Sequence, residues 1–124
     1  MARILIAEDE DTLRSLVVRA LVSEGHDVQS AADGAEALDL ITRDQGQFDL
    51  LLTDIRMPLM DGIALALAAA RDYPELVILL MTAYADQRER ALGLEAVIHD
   101  VITKPFTLAE IKVAVSEALA ARQG

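Results

Sequence analysis

Short apolar runs alternate along this chain with stretches whose apolar residues recur at helical spacing. Ile4-Leu5-Ile6-Ala7 reads as a buried strand. Leu13, Leu16, Val17, Ala20 and Leu21 then form the inward stripe of a helix that Asp11 can cap and Gly25 can end. Asp27 to Ala31 is a weaker strand. Asp33-Gly34 marks a turn, and Ala35 to Thr42 a second helix with Ala37, Leu38 and Ile41 inward. Phe48-Asp49-Leu50-Leu51-Leu52-Thr53 is nearly continuous apolar sequence, the pattern of a central strand covered on both faces. Gly62 to Arg71 follows as an alanine-rich helix closed before Pro74. Val77 to Met81 makes a fourth strand, Asp86 to Leu94 a short charged helix, and Val97 to Thr103 a fifth strand interrupted by His99 and Asp100. Thr107-Leu108-Ala109-Glu110 is a capping box for the last helix, with Phe106 placed to staple onto Ile111. Its inner stripe is Leu108, Ile111, Val115, Ala118 and Leu119.

Five strands alternating with five helices predict an α/β fold, a parallel sheet doubly wound because right-handed crossovers place helices on each face. The ligand site of such a sheet lies at the carboxyl ends of its strands, where the strand order reverses. Strand one ends in Glu8-Asp9, strand three in Asp54, strand four in Thr82 and strand five in Lys104. Three carboxylates, a hydroxyl and an ammonium therefore converge on one mouth. Close carboxylates repel by roughly 4 kcal/mol per pair at intermediate dielectric, so such a cluster needs a cation or raised pKa values. The predicted ligands are all oxygens, which favours a hard divalent ion, Mg²⁺ above others. Each residue alone has a plain structural use, as helix cap, turn former or surface charge. Their concurrence at four strand ends is what points to a site.

Composition narrows the function. The chain has 124 residues, no cysteine and a formal net charge of -10, with 53% hydrophobic and only 3% aromatic residues. The length fits one domain, 1–124, and leaves no room for an output domain beside it. The absence of cysteine excludes a disulfide framework and thiolate metal sites, and suits a cytoplasmic setting. The acidic balance argues against nucleic-acid partners. No uncharged stretch approaches a membrane span, and acids cut off the first apolar run at once, so neither a membrane anchor nor a signal peptide is expected.

Glu8-Asp9, the run Asp54-Ile55-Arg56-Met57-Pro58-Leu59-Met60-Asp61-Gly62, then Thr82-Ala83 and Lys104-Pro105-Phe106 resemble the signature of response-regulator receiver domains, over essentially the whole chain. The resemblance implies the CheY-like, flavodoxin-type strand order 2-1-3-4-5. It implies Asp54 as phosphoryl acceptor, with Glu8 and Asp9 as the acidic pocket. Mg²⁺ would lie on Asp9, Asp54 and the backbone carbonyl of Arg56. Thr82 would move toward the phosphoryl group, and Lys104 would pair with it. The donor would be a histidine kinase or histidine phosphotransferase. The chain would catalyse only its own phosphorylation and slow hydrolysis. The bond before Pro105 is commonly cis in this family. The chemistry agrees: an aspartyl carboxylate is a weak nucleophile, and attack on phosphorus depends on alignment and charge neutralisation more than on acid–base help.

The stretches Met1 to Asp9 and His99 to Phe106 also look like the CpdR family of alphaproteobacterial single-domain regulators. That likeness implies a cell-cycle role in which the unphosphorylated form binds the ClpX unfoldase and primes ClpXP proteolysis. A phosphorelay would switch it off.

The receiver pattern breaks at one place. Val101 occupies the position, three residues before the lysine, where receivers usually carry a switching Tyr or Phe, and Val97-Ile98 replaces a Gly-Ala pair. Tyr84, two residues after Thr82, is the aromatic placed to border the site, either shielding the acyl phosphate and moving with Thr82 or packing over the fourth helix. His26 and His99 lack a second ligand at metal spacing. Arg88 and Arg90 flank Glu89 on the short helix as a solvated face or a docking surface. Two rival functions stay open: a phosphorelay intermediate or phosphate sink without an effector, and an aspartate-nucleophile phosphatase. The latter usually shows a second Asp two residues after the nucleophile, where this chain has Arg56.

Overall fold

A computed structural model describes residues 2–45 and 47–123. The elements are β1 (Arg3–Ala7), α1 (Asp11–Ser23), β2 (Asp27–Ala31), α2 (Gly34–Arg43), β3 (Leu50–Asp54), α3 (Gly62–Asp72), β4 (Val77–Thr82), α4 (Ala85–Leu92), β5 (Asp100–Thr103) and α5 (Leu108–Gln123). All strand pairs are parallel, in the order β2-β1-β3-β4-β5. The expected α/β fold, with its 2-1-3-4-5 order, is thus the observed one. Among the described residues no helix is long and apolar enough to cross a membrane.

Alternation along the strands divides the core in two. Ile4, Ile6, Leu50, Leu52, Leu79 and Met81 pack under α1 and α5, against Val17, Leu21, Ile111 and Val115. Leu5, Ala7, Leu51, Ile78 and Leu80 face α2, α3 and α4, against Ala37, Ile41, Leu65, Ala66 and Ala91. Both faces of β3 are covered, which is why its run is almost wholly apolar.

Several local expectations shift. The cap of α1 is Glu10, whose carboxylate accepts the N–H groups of Thr12 (3.2 Å) and Leu13 (2.7 Å). Asp11 is already helical and accepts instead from the Arg14 guanidinium at 2.6 Å. Leu16, expected inward, is 41% exposed, because it lies about 100° of helical rotation from Val17, at the edge of the buried arc. Leu108, the first residue of α5, is 36% exposed, and burial begins three residues later at Ile111. The third strand begins at Leu50 rather than Phe48, and α4 spans Ala85–Leu92 rather than 86–94. The fifth strand is shorter than expected. The N–H groups of Val97 and Ile98 both donate to the Leu94 carbonyl (2.8 and 2.9 Å), so the turn has used them and the ladder starts at Asp100. The capping box of α5 forms as expected, Glu110 accepting from the Thr107 N–H at 2.8 Å and Thr107 from the Glu110 N–H at 3.0 Å.

Candidate functional site

Register brings the candidate residues together. The strand order reverses between β1 and β3, and Ala7 lies opposite Thr53, so Glu8 and Asp54 leave the sheet side by side. On the far side Asp54 lies opposite Met81, and Thr82 opposite Thr103, which precedes Lys104. The Lys104 N–H donates to the Thr82 carbonyl at 2.8 Å, and the Lys104–Pro105 bond is cis.

The Lys104 ammonium reaches back under the mouth and donates to Glu8 Oε1 at 2.8 Å and to Asp54 Oδ2 at 2.9 Å. Glu8 and Asp54 are buried, while Asp9 is exposed at the rim. Carboxylate oxygens of all three acids lie within 4.8 Å of one another. Burial disfavours the Lys104 charge, but hydrogen bonds to Glu8 and Asp54, and their charges, outweigh it and raise the ammonium above its ordinary pKa. Asp9 is also raised, by partial burial first and then by its hydrogen bond and like charge with Glu8. Three carboxylates thus face one ammonium, and the cluster holds more negative charge than Lys104 neutralises. Glu8 Oε2 accepts from the Glu10 N–H at 3.0 Å, so both Glu8 oxygens already have a donor. The all-oxygen donor set at this spacing fits a divalent cation of the Mg²⁺ type.

The loop after β3 is tightly built. A Cβ on Gly62 would meet the Asp54 carbonyl oxygen at 2.0 Å, so only glycine lets α3 begin this close to the site. Asp61 caps α3 by accepting the Ala64 N–H at 2.8 Å. Leu59 takes φ 69° beside Pro58, a left-handed conformation that a non-glycine residue holds only under constraint from its surroundings.

Thr82 is buried, and its hydroxyl oxygen accepts the Tyr84 N–H at 3.1 Å. The Tyr84 ring is 45% exposed, and the Arg56 guanidinium carbon stands 4.9 Å from its centroid. The tyrosine is thus joined to Thr82 through its backbone and stacked by Arg56 through its ring. Val101 is buried in the core between β5 and the α3/α4 side. His26 Nδ1 accepts from the Ala2 N–H at 3.2 Å, and His99 is exposed at the opposite end of β5 from Lys104.

Two side chains carry more than the sequence disclosed. Arg56 entered through its carbonyl, yet its guanidinium covers Tyr84. Arg88 reaches from α4 to the Thr103 hydroxyl at 2.5 Å and the Val101 carbonyl at 3.5 Å. Spacing alone gives no signal for either, because both contacts join separate elements.

Comparison with known proteins agrees with this geometry. Residues 4–116 match the family described as response regulator receiver domain. The chain is 36% identical over 109 residues to transcriptional regulatory protein TcrA of Mycobacterium tuberculosis, covering 88% of this chain and 42% of that protein. It is 36% identical over 119 residues to sensor kinase CckA of Brucella abortus, covering 95% of this chain and 12% of that one. The chain thus spans less than half the length of these curated relatives. Among solved structures, response regulator TrrA of Thermotoga maritima, in complex with Mg²⁺ and BeF, superposes with a TM-score of 0.84 at 32% identity, covering 95% of this chain and 99% of that one.

Proposed function

The chain belongs to the response regulator receiver domain family, a module of phosphorylation-based two-component signalling, and from that premise we propose that Asp54 accepts a phosphoryl group from a phosphohistidine. The donor is a histidine kinase or a histidine phosphotransferase. The observation that carries this reading is the double hydrogen bond from Lys104 to Glu8 and Asp54 at the strand-order reversal. It presents the Asp54 carboxylate beside a fixed cation in a buried setting, where electrostatic preorganisation is worth most. One Asp54 oxygen forms a bond to phosphorus as the phosphorus–nitrogen bond to the donor imidazole breaks, and the electron pair leaves with the imidazole.

Asp9, Asp54 and the Arg56 carbonyl hold Mg²⁺ in this reading, with Glu8 completing the acidic pocket. The bound ion supplies neutralisation of charge on the phosphoryl oxygens. Thr82 turns its hydroxyl from the Tyr84 backbone to a phosphoryl oxygen. Tyr84, stacked by Arg56, shields the acyl phosphate from water. A cavity of about 270 Å³ beside the site, lined by Leu13, Ala83, Lys104, Pro105 and Phe106, offers the donor an apolar seat next to the lysine.

The output is a protein contact whose strength depends on the state of Asp54. The effector is the ClpX unfoldase, bound by the unphosphorylated form in the cell cycle; this part rests on the CpdR-like stretches at Met1 to Asp9 and His99 to Phe106. The likeness to sensor kinase CckA supports a phosphorelay upstream. Affinity measurements with immobilised wild type and Asp54→Asn, with and without beryllofluoride and Mg²⁺, test it. ClpX should bind untreated wild type and lose affinity when beryllofluoride occupies the site. Identical binding in every state would sink the contact-switch reading and leave a phosphorelay intermediate or phosphate sink.

A further inference from the structure

At Val101 the strand presents a buried valine that has no polar end to carry a signal to the surface. Four hydrogen bonds nevertheless close a ring from the site through α4 and back. The Tyr84 N–H donates to Thr82 Oγ1 at 3.1 Å, and the Arg88 N–H donates to the Tyr84 carbonyl at 3.0 Å. Arg88 Nη1 donates to Thr103 Oγ1 at 2.5 Å, and the Lys104 N–H donates to the Thr82 carbonyl at 2.8 Å. Thr103 is the chain neighbour of Lys104 and lies opposite Thr82 in the β4–β5 register. Both residues that would meet a phosphoryl group therefore sit in this ring, and the Arg88 guanidinium is the link that ties it to a helix.

The helix it holds is weakly fixed. Among the described side chains of α4, Ala91 alone is fully buried. Its N-cap, Tyr84, supplies no side-chain acceptor, so the first turn relies on the loop for its hydrogen bonds. Gln87 Oε1 is buried without a partner, a cost to the present placement of the helix. A marginal helix tied to β5 through one guanidinium, closely to the Thr103 hydroxyl and more distantly to the Val101 carbonyl, has the makings of a two-position element.

We infer that Arg88 is the positioning residue that couples the state of Asp54 to the placement of α4 against β5, in the role an aromatic would have at Val101. The inference rests on Asp54 being the phosphoryl acceptor. When Thr82 turns toward a phosphoryl oxygen, Oγ1 leaves the Tyr84 N–H. The first turn of α4 loses its anchor, and Arg88 lets go of Thr103. Coupling is reciprocal, so a variant without the Arg88–Thr103 bond has already given up what ligand binding must break, and it binds the ligand more tightly.

The test follows beryllofluoride with Mg²⁺ by fluorine NMR and by amide hydrogen exchange of α4, in wild type, Arg88→Ala, Thr103→Val and Thr103→Ser. Wild type should bind, and its α4 amides should exchange about fivefold faster when bound, the population ratio one net hydrogen bond of about 1 kcal/mol controls. Arg88→Ala and Thr103→Val should exchange fast without ligand and bind beryllofluoride about fivefold more tightly. Thr103→Ser, which keeps the hydroxyl, should behave as wild type. A bound fluorine signal with no change in α4 exchange overturns the inference, as does a ligand-dependent change that persists undiminished in both bond-deleting variants. Absence of any bound signal in wild type overturns the Asp54 reading itself. The exposed Thr103 substitutions cover the case in which Arg88→Ala folds poorly.

Discussion

At the amino end of the sheet Arg3, Asp44, Asp49 and Arg122 pair with one another, whereas at the carboxyl end three clustered acids have a single ammonium, bonded to two of them. Arg3 donates to both oxygens of Asp44 (2.7 and 3.0 Å) and stands 3.6 Å from Asp27, with its guanidinium over the Phe48 ring. Asp49 accepts from the Arg3 N–H at 2.8 Å and from Arg122 at 2.7 Å. These contacts fasten β1, β3 and the end of α5 to one another. At the other end Glu8, Asp9 and Asp54 converge on Lys104 with charge left over. One end stabilises the fold; the other carries an excess of acidic charge, a cost to stability of the kind that functional sites bear.

Neutralising an acid should therefore have opposite effects at the two ends, while removing the one ammonium of the site should cost most of all. The largest change comes from Lys104→Met, which leaves Glu8 and Asp54 buried without their ammonium. Urea unfolding in EDTA should show a loss of about 3 kcal/mol, as for other broken buried pairs. Asp49→Ala should lose about 2 kcal/mol, because the Arg3 N–H and Arg122 are left without a charged acceptor. Asp9→Asn should reverse the sign. It removes like charge next to Glu8, so it should gain about 1 kcal/mol in EDTA, the scale of one like-charge contact relieved in the water-like dielectric of the exposed rim, and lose most of the stabilisation that Mg²⁺ gives wild type. A destabilised Asp9→Asn would break the comparison.

A smaller effect appears in pH. Burial pushes the Asp49 carboxyl up, but the Arg3 N–H and the Arg122 guanidinium outweigh it and hold it below its ordinary value of 3.8. A carboxyl with a lowered folded value binds its proton more weakly folded than unfolded. Its contribution is complete above the ordinary value and disappears as pH falls through the lowered one. The stability gap between wild type and Asp49→Asn, measured by urea midpoints, should be constant near neutrality and shrink below about pH 4. A gap that instead widens toward acid would contradict the assignment.

The same contrast explains what the sequence disclosed. The site was legible because topology converts strand ends into neighbours: once β1, β3, β4 and β5 are read from their apolar runs, Glu8, Asp54, Thr82 and Lys104 must meet. The helices were legible from their stripes, although Leu16 and Leu108 show that an apolar position can lie at an arc's edge or at a helix's first residue. The Glu10 cap escaped because an aspartate of better capping propensity stands next to it. The early end of the turn before β5 escaped because Val97 and Ile98 have strand propensity, while Leu94 had already engaged their amides. The Arg3, Asp44 and Asp49 network, the Arg56–Tyr84 stack and the Arg88–Thr103 bond depend on how separate elements pack, and no spacing encodes them.

Asp54 as phosphoryl acceptor is the claim on which the rest depends, and peptide mapping after phosphorylation tests it most directly. The protein is incubated with Mg²⁺ and a phosphorylated histidine phosphotransferase or acetyl phosphate, then analysed by intact mass and by acid-quenched fragmentation. A single phosphoryl adduct on Asp54, labile to hydroxylamine, absent from Asp54→Asn and abolished by EDTA, is the result predicted here. An adduct that persists in Asp54→Asn, or none on wild type under conditions where Mg²⁺ is bound, would contradict it.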